Sequence, residues 1–328
     1  MKPFSYAAPS SYPEASALLR EHPLALPKAG GTDLMDLLKE GVVSPPQIVA
    51  LGRIERLEGN PNALFANMTL AALSDPGLAE RFPALAEAAS EAATPQVRNQ
   101  GTVGGNLAQA PRCAYLRTRH ACLRLGDSEC AAAAPEAFTR FHGVFPAGGC
   151  RSGHSSSLAP ALIVLGAQVV IQGPKGERSV AVEDLYRAPE AGALGDTILG
   201  YDELITRVDL EPTPLARQST YLEVRERQSF DFALVNLAAA ATFTGEGEER
   251  VVQEVRLAAG GIATSPRRLK RAEAALRGKP LTEETLRAAG EAACAGAQPT
   301  AHNGHKLILL QRLIARALRH LAAGGKQK

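Results

Sequence analysis

Residues 97–106 read Val97-Arg98-Asn99-Gln100-Gly101-Thr102-Val103-Gly104-Gly105-Asn106. Glycine has no Cβ, so backbone N–H groups at Gly101, Gly104 and Gly105 can come close to a ligand or to another segment. Thr102 and Asn106 add a hydroxyl and a carboxamide that donate and accept hydrogen bonds. Alone, the string fits a ligand-facing loop or a tight hairpin. A second glycine segment lies upstream: Pro27-Lys28-Ala29-Gly30-Gly31-Thr32-Asp33-Leu34. It joins the apolar run Leu24–Ala29 to a helical stretch, Thr32–Glu40, closed by Gly41 as a C′ glycine. A helix N-terminus presents unpaired donors and a positive dipole end, which favours a pyrophosphate. The spacing is not GxGxxG, so a Rossmann unit is not expected.

Outward from these segments the chain alternates in type. Helical spacing over Pro13–His22 and a strand-like Gln47–Leu51 complete a small α/β unit. Thr69–Ala93 is helical with a break at Asp75-Pro76-Gly77. Cys113–Arg151 shows neither period, and irregular stretches of that length are usually functional. Leu158–Gln172 predicts a helix running into a strand, followed by a turn at Gly173–Gly176. Arg187–Gly200 reads as a linker or flap. Ile205–Leu210 and Ser219–Val224 read as strands flanking a turn at Glu211–Pro214. Leu234–Thr242, Val251–Ala258 and the helical stretches Pro266–Arg277 and Thr282–Ala295 predict a separate C-terminal α+β unit, closed by a helix over Lys306–Leu321. The expected division is 1–55, 56–212 and 213–328.

The 328 residues carry a net charge of +2, too balanced for a phosphate-reading surface, so no nucleic-acid partner is expected. The most apolar stretch, Leu158–Ile171, is shorter than the ~20 residues of a membrane span. The N-terminus has no apolar core of a signal peptide. The expected location is cytoplasmic, or periplasmic by export with a signal-bearing partner.

The two glycine segments, in this order, resemble those of the FAD-binding (medium) subunits of the xanthine dehydrogenase and carbon monoxide dehydrogenase family of molybdenum hydroxylases. Further matching blocks are Ser157-Leu158-Ala159-Pro160-Ala161-Leu162, Asp202-Glu203-Leu204-Ile205, Arg225–Val235 and Ser265-Pro266-Arg267-Arg268. The resemblance implies an α+β fold: a two-part FAD-binding domain of the PCMH / vanillyl-alcohol-oxidase type, then a smaller α+β C-terminal domain. It implies that Pro27, Lys28, Ala29, Gly30, Gly31, Thr32, Asp33 and Leu34 contact FAD. Thr102, Val103, Gly104, Gly105, Asn106, Ser157, Ile205 and Glu223 would do the same. Two positions depart from the family pattern. Ser157 stands where relatives carry Asp, and Glu223 where relatives commonly carry Lys; a carboxylate there opposes an anionic reduced flavin.

Cys113, Cys122, Cys130 and Cys150 all fall in the irregular excursion, and Cys294 lies apart in an Ala-rich helical run, read as a small buried residue. The spacing lacks the CxxC pairs of zinc sites. It leaves zinc, disulfides, free thiols and a [4Fe–4S] cluster open. Some members of the family insert a cysteine-bearing loop after the Gly-Gly-Asn motif, as in the aldehyde oxidoreductase and 4-hydroxybenzoyl-CoA reductase types. Pro111–Arg117 resembles its opening. The resemblance therefore implies a [4Fe–4S] cluster on these four cysteines. His142 and His154 are expected to be hydrogen-bonders within the loop.

The resemblance further implies an electron-transfer subunit of a heterotrimeric molybdenum hydroxylase. Its partners would be a molybdenum-cofactor large subunit, a [2Fe–2S] small subunit and an external electron acceptor. No general acid or nucleophile is expected in this chain, because the redox chemistry belongs to the cofactors. A non-catalytic FAD/iron–sulfur redox sensor or assembly factor, and a zinc-stabilised scaffold, are the alternatives.

Overall fold

The computed structural model describes residues 1–55, 62–227, 230–245, 247 and 250–324. Gln228 and Ser229, in the middle of one matching block, lie outside the described residues. The first unit holds β1 (Ser5–Ala7), α1 (Tyr12–Glu21), β2 (Leu26–Lys28), α2 (Leu34–Lys39) and β3 (Gln47–Ala50). Its three strands run parallel in the order β1-β3-β2. Ser11 caps α1 by accepting from Glu14 N–H, and Glu14 accepts from Ser10 N–H, so both orphan donors are satisfied. α1 buries Ala15 and Leu19, and Ser16 donates to Asp202 O, which ties this unit to the next.

The second unit contains β4 (Ala63–Phe65), α3 (Pro76–Arg81), α4 (Pro83–Glu91), α5 (Pro95–Arg98), α6 (Val103–Leu107), α7 (Ala114–Arg117), α8 (Leu158–Val164), β5 (Gln168–Gly173), β6 (Gly176–Ala181) and β7 (Leu204–Asp209). These strands form an antiparallel sheet, β4-β7-β5-β6. The break expected at Asp75-Pro76-Gly77 is present: a helical turn ends at Ser74, Asp75 is extended, and a new helix starts at Pro76. Asp75 Oδ1 accepts from Leu78 N–H at 2.9 Å and Pro76 occupies the first turn, where its missing N–H costs nothing. Strand β6 was not expected, because its residues are charged and largely exposed.

The third unit comprises α9 (Pro214–Arg217), β8 (Ser219–Val224), β9 (Val235–Thr244), β10 (Val251–Gly260), β11 (Arg267–Arg268), α10 (Lys270–Leu276), α11 (Glu283–Cys294) and α12 (His305–Ala322). Its antiparallel sheet is ordered β11-β10-β9-β8. Alternate residues of β9 face opposite sides. Ala238 and Ala240 join a core with α4 and α8, whereas Leu237, Ala239 and Ala241 join a second core with α10–α12. Burial on both faces is why β9 reads as an almost unbroken apolar run. Every residue of α8 is buried, so the second and third units share one layered interior.

Candidate functional site

The two glycine segments meet. A Cβ on Gly30 would fall 1.7 Å from Gln100 O, so only glycine lets the first loop lie against the second. Gly31 takes φ +80°, the left-handed region that favours glycine. The second segment is a helix start and not a hairpin. Thr102 caps α6 by accepting from Gly105 N–H at 3.2 Å. Val103 N–H donates to Met68 O and Gly104 N–H to Ala66 O, both at 2.9 Å. These amides are spent within the protein. The N–H groups of Gly30, Gly31 and Thr32, in contrast, find no acceptor among the described residues.

Between the loops lies a cleft with two lobes. The first, about 330 Å³, is bounded by the Pro27–Leu34 segment, Asn67, Gly104, Gly105, Leu194 and Ile205. Thr32, Asp33, Thr102, Gly105 and Gln109 lie on both lobes and join them. The second, about 260 Å³, is lined by Asn106, Arg112, Ser157, Glu223 and Phe232. Val103 lines neither lobe; its side chain is fully buried in the core. Asn67, Gln109, Arg112, Leu194 and Phe232 are cleft residues that the sequence did not single out. Only Asn67 and Arg112 carry a local signal, since each has a buried polar atom without a partner: Asn67 Oδ1 and Arg112 Nε.

Charge around the cleft is arranged by ion pairs. Asp33 accepts from Ala110 N–H at 2.8 Å and pairs with Arg117 at 2.7 Å and Arg112 at 3.2 Å. Its carboxylate thus braces the first loop against the cysteine excursion. Arg112 also reaches Asp36 at 3.1 Å and stacks over the Phe232 ring at 5.0 Å. Glu223 is buried in an ion pair with Arg225, and its Oε2 accepts from Tyr221 O–H at 2.8 Å. Burial raises its pKa, against the pull of Tyr221 and Arg225. Asn106 Oδ1 accepts from Ser156 O–H at 2.6 Å and from Leu158 N–H at 3.3 Å, fixing the start of α8. Ser157 remains on the cleft wall.

The four cysteines of the excursion line one small cavity, with Tyr115, Leu116 and His142 among its other walls. Three of them, Cys113, Cys122 and Cys130, each stand immediately before a single helical turn. The N–H groups of Tyr115 and Leu116 point at the Cys113 sulfur, and those of Ala132 and Ala133 at Cys130. Ser152 N–H donates to Cys150 Sγ at 3.4 Å. Such donors favour thiolates. Burial nevertheless pushes the Cys113 thiol up to about 11, and the neighbouring cysteines add to the rise. Four thiolates coexist there only with a cationic group among them. Among the described residues, no group of three or more His, Cys, Asp or Glu side chains is placed to hold a metal ion. Cys294 ends α11 far along the chain, half-buried and not fully buried as expected, with Gln311 Nε2 3.7 Å away. His154 is a loop hydrogen-bonder, accepting from Ser156 N–H at 3.2 Å. His142 is one as well, its Nε2 3.3 Å from Cys113 Sγ.

A buried ion pair ties the cysteine cavity to the cleft. Arg124 meets both oxygens of Asp196, at 2.6 and 2.7 Å, and donates to Leu194 O and Ser152 Oγ at 3.2 Å each. Ser152 contacts Cys150, and Leu194 and Gly195 line the first lobe. The 187–200 segment, read from the sequence as a linker or flap, thus runs between the cleft and the cysteine cavity.

Two families match this chain: the FAD binding domain in molybdopterin dehydrogenase over residues 2–213, and the CO dehydrogenase flavoprotein C-terminal domain over residues 220–321. The chain belongs to the FAD-binding medium subunits of the molybdenum hydroxylases, a family of oxidoreductase subunits. It is 35% identical to the aldehyde oxidoreductase FAD-binding subunit PaoB of Escherichia coli (strain K12), over 97% of this chain and 98% of that one. The carbon monoxide dehydrogenase medium chain of Hydrogenophaga pseudoflava is 26% identical over 96% of each. Among solved structures, quinoline 2-oxidoreductase from Pseudomonas putida 86 superposes with a TM-score of 0.75 and 26% identity over the whole of both chains. No helix of the described residues is long and apolar enough to cross a membrane.

Proposed function

We propose that this chain holds FAD in the two-lobed cleft and a [4Fe–4S] cluster on Cys113, Cys122, Cys130 and Cys150. As an electron-transfer subunit it would work beside a molybdenum-cofactor large subunit and a [2Fe–2S] small subunit, and deliver to an external acceptor. The proposed division is a pair of FAD-binding subdomains, 1–55 and 56–212, and a C-terminal domain, 213–328. The observation that carries the FAD assignment is the contact of the two glycine loops. It leaves the amides of Gly30, Gly31 and Thr32 unpaired on a cleft whose other end is lined by Ser157, Glu223 and Phe232. Those amides, with the Lys28 ammonium, suit a pyrophosphate. Asn67 Oδ1 offers a buried acceptor to a ribose or an adenine amine. Ser157 and Arg112 offer donors at the second lobe, and Phe232 supplies a flat apolar wall.

The fit of the cysteines rests on three features: a shared cavity, a backbone N–H donated to the Cys150 sulfur, and the Cys113 and Cys130 thiols, which burial holds protonated unless a metal group supplies positive charge. A four-iron cluster takes four thiolates, the number these cysteines supply. The bound cofactors supply electron transfer, the flavin joining one-electron centres to a two-electron acceptor. This chain's residues bind, orient and tune. The test is iron, sulfide and flavin content after replacing each cysteine by Ser. Loss of iron is expected for any of the four and not for Cys294→Ser. Zinc in place of iron would overturn the cluster assignment and leave FAD standing.

A further inference from the structure

One wall of the cysteine cavity is not used by the proposed ligands. His142 is only 5% exposed, its Nε2 lies 3.3 Å from Cys113 Sγ, and its Nδ1 is buried without a hydrogen-bond partner. The backbone that carries the ring is held by the third unit. Asn303, just before α12, donates from Nδ2 to His142 O and Gly143 O, at 3.3 and 3.1 Å. Lys306, within α12, donates from Nζ to Phe141 O at 3.1 Å and Gly261 O at 2.7 Å. A Cβ on Gly143 would meet Ile262 O at 2.8 Å, so the chain lies flush against the third unit at this point. The Tyr115 ring, on the turn that follows Cys113, packs against the imidazole at 5.7 Å.

An imidazolium would leave an Nδ1–H donor buried without an acceptor, so the geometry favours the neutral ring. A neutral imidazole has one N–H and one lone pair. A thiolate ligand is an acceptor only, so the nitrogen facing it must carry the hydrogen. The lone pair then falls on Nδ1, and an unsatisfied buried acceptor is tolerated better than an unsatisfied donor.

We propose that His142 is a tuning residue for the group held by the four cysteines: its Nε2–H donates to the Cys113 sulfur and raises the reduction potential of the iron–sulfur cluster. This rests on the [4Fe–4S] assignment above. Reduction adds negative charge to the cluster and its sulfurs, and a hydrogen bond to sulfur stabilises the more negative state. The C-terminal unit positions the backbone that carries His142 through Asn303 and Lys306, although it supplies no ligand.

The test uses the complex purified anaerobically as wild type, His142→Phe and His142→Gln, with iron content and an EPR-monitored redox titration of the cluster. The expected result is unchanged iron, a midpoint shifted to lower potential in His142→Phe, and partial recovery in His142→Gln, whose amide can donate. A structural role alone would leave the midpoint where it was. An unchanged or raised midpoint in an iron-loaded His142→Phe protein overturns the proposal and leaves the cluster assignment intact. Wild-type protein without iron overturns both. Should His142→Phe lose its iron, 15N-histidine labelling decides. Spin-echo modulation from 15N on the reduced wild-type cluster, absent in His142→Gln, is expected, and a wild-type cluster without it contradicts the proposal.

Discussion

Gly30 and Gly104 show what the glycines of this site do. At neither position does the absent Cβ point only into the cleft. At Gly30 it would meet the Gln100 backbone, and at Gly104 it would lie 2.9 Å from Ala66 Cβ. These glycines set how closely the walls of the cleft approach one another, and a ligand benefits from them indirectly. Overpacking of this kind costs ~1–3 kcal/mol, and a rigid carbonyl gives less than a side chain does. Gly30→Ala is therefore expected to lose most of its flavin on desalting and to melt at lower temperature. Gly105→Ala, whose Cβ meets only the Thr102 hydroxyl at 3.0 Å, should lose less. Equal flavin retention in Gly30→Ala and wild type would contradict the role given to that contact. Glu223 is the second residue with a sharp consequence. Its negative charge faces the second lobe but is shared with Arg225. Glu223→Gln keeps the shape and removes that charge while Arg225 stays paired with Glu91, so the flavin midpoint should rise. A titration showing no rise would mean that Arg225 already cancels the carboxylate at the ring.

At the scale of elements, the Arg124–Asp196 pair joins the cysteine excursion to the 187–200 segment. Both side chains are almost wholly buried, and removing one partner leaves an uncompensated charge, which costs ~3–5 kcal/mol. Asp196→Ala is expected to lower the melting temperature and weaken FAD binding together, read by thermal denaturation and flavin titration. Unchanged flavin affinity would show that Leu194 and Gly195 keep their places without the pair. Lys306 makes α12 sensitive to pH. Burial lowers its pKa from 10.5 to about 7, so between those values the unfolded chain holds a proton that the folded chain has released. Stability should therefore rise with pH from about 7 towards 10.5 and lose this contribution below about 7. Denaturant titrations of wild type and Lys306→Met at neutral and alkaline pH would check it, parallel pH curves being the contrary result. Elements with strong periodicity or burial were legible in the sequence: α1, α8 with β5, β8, and α12 all lie within a few residues of expectation. Those missed are short or polar. α6 is held by contacts to Ala66 and Met68 that no local pattern announces, and β6 pairs through its backbone with only Val180 packed against the core.

Across the whole molecule, three sheets and their helices bring segments distant in sequence to one cleft and one cavity. The glycine loops and the cysteines were legible because backbone-limited turns and thiol ligands tolerate few residue types. Asn67, Gln109, Leu194 and Phe232 were not, because their residue types are common on any surface and only the tertiary packing gives them a place on the cleft. Val103, inside the same motif, turned inward to the core for want of a free face. The family membership supports FAD binding, and the buried Arg124–Asp196 pair joins the cleft to the cavity of the proposed second cofactor. Cofactor content measures this most directly. The complex purified anaerobically should show a flavin and iron–sulfur spectrum, with about one FAD and about four iron per copy of this chain beyond the iron of its partners. FAD without that additional iron, or zinc in its place, would contradict the two-cofactor assignment.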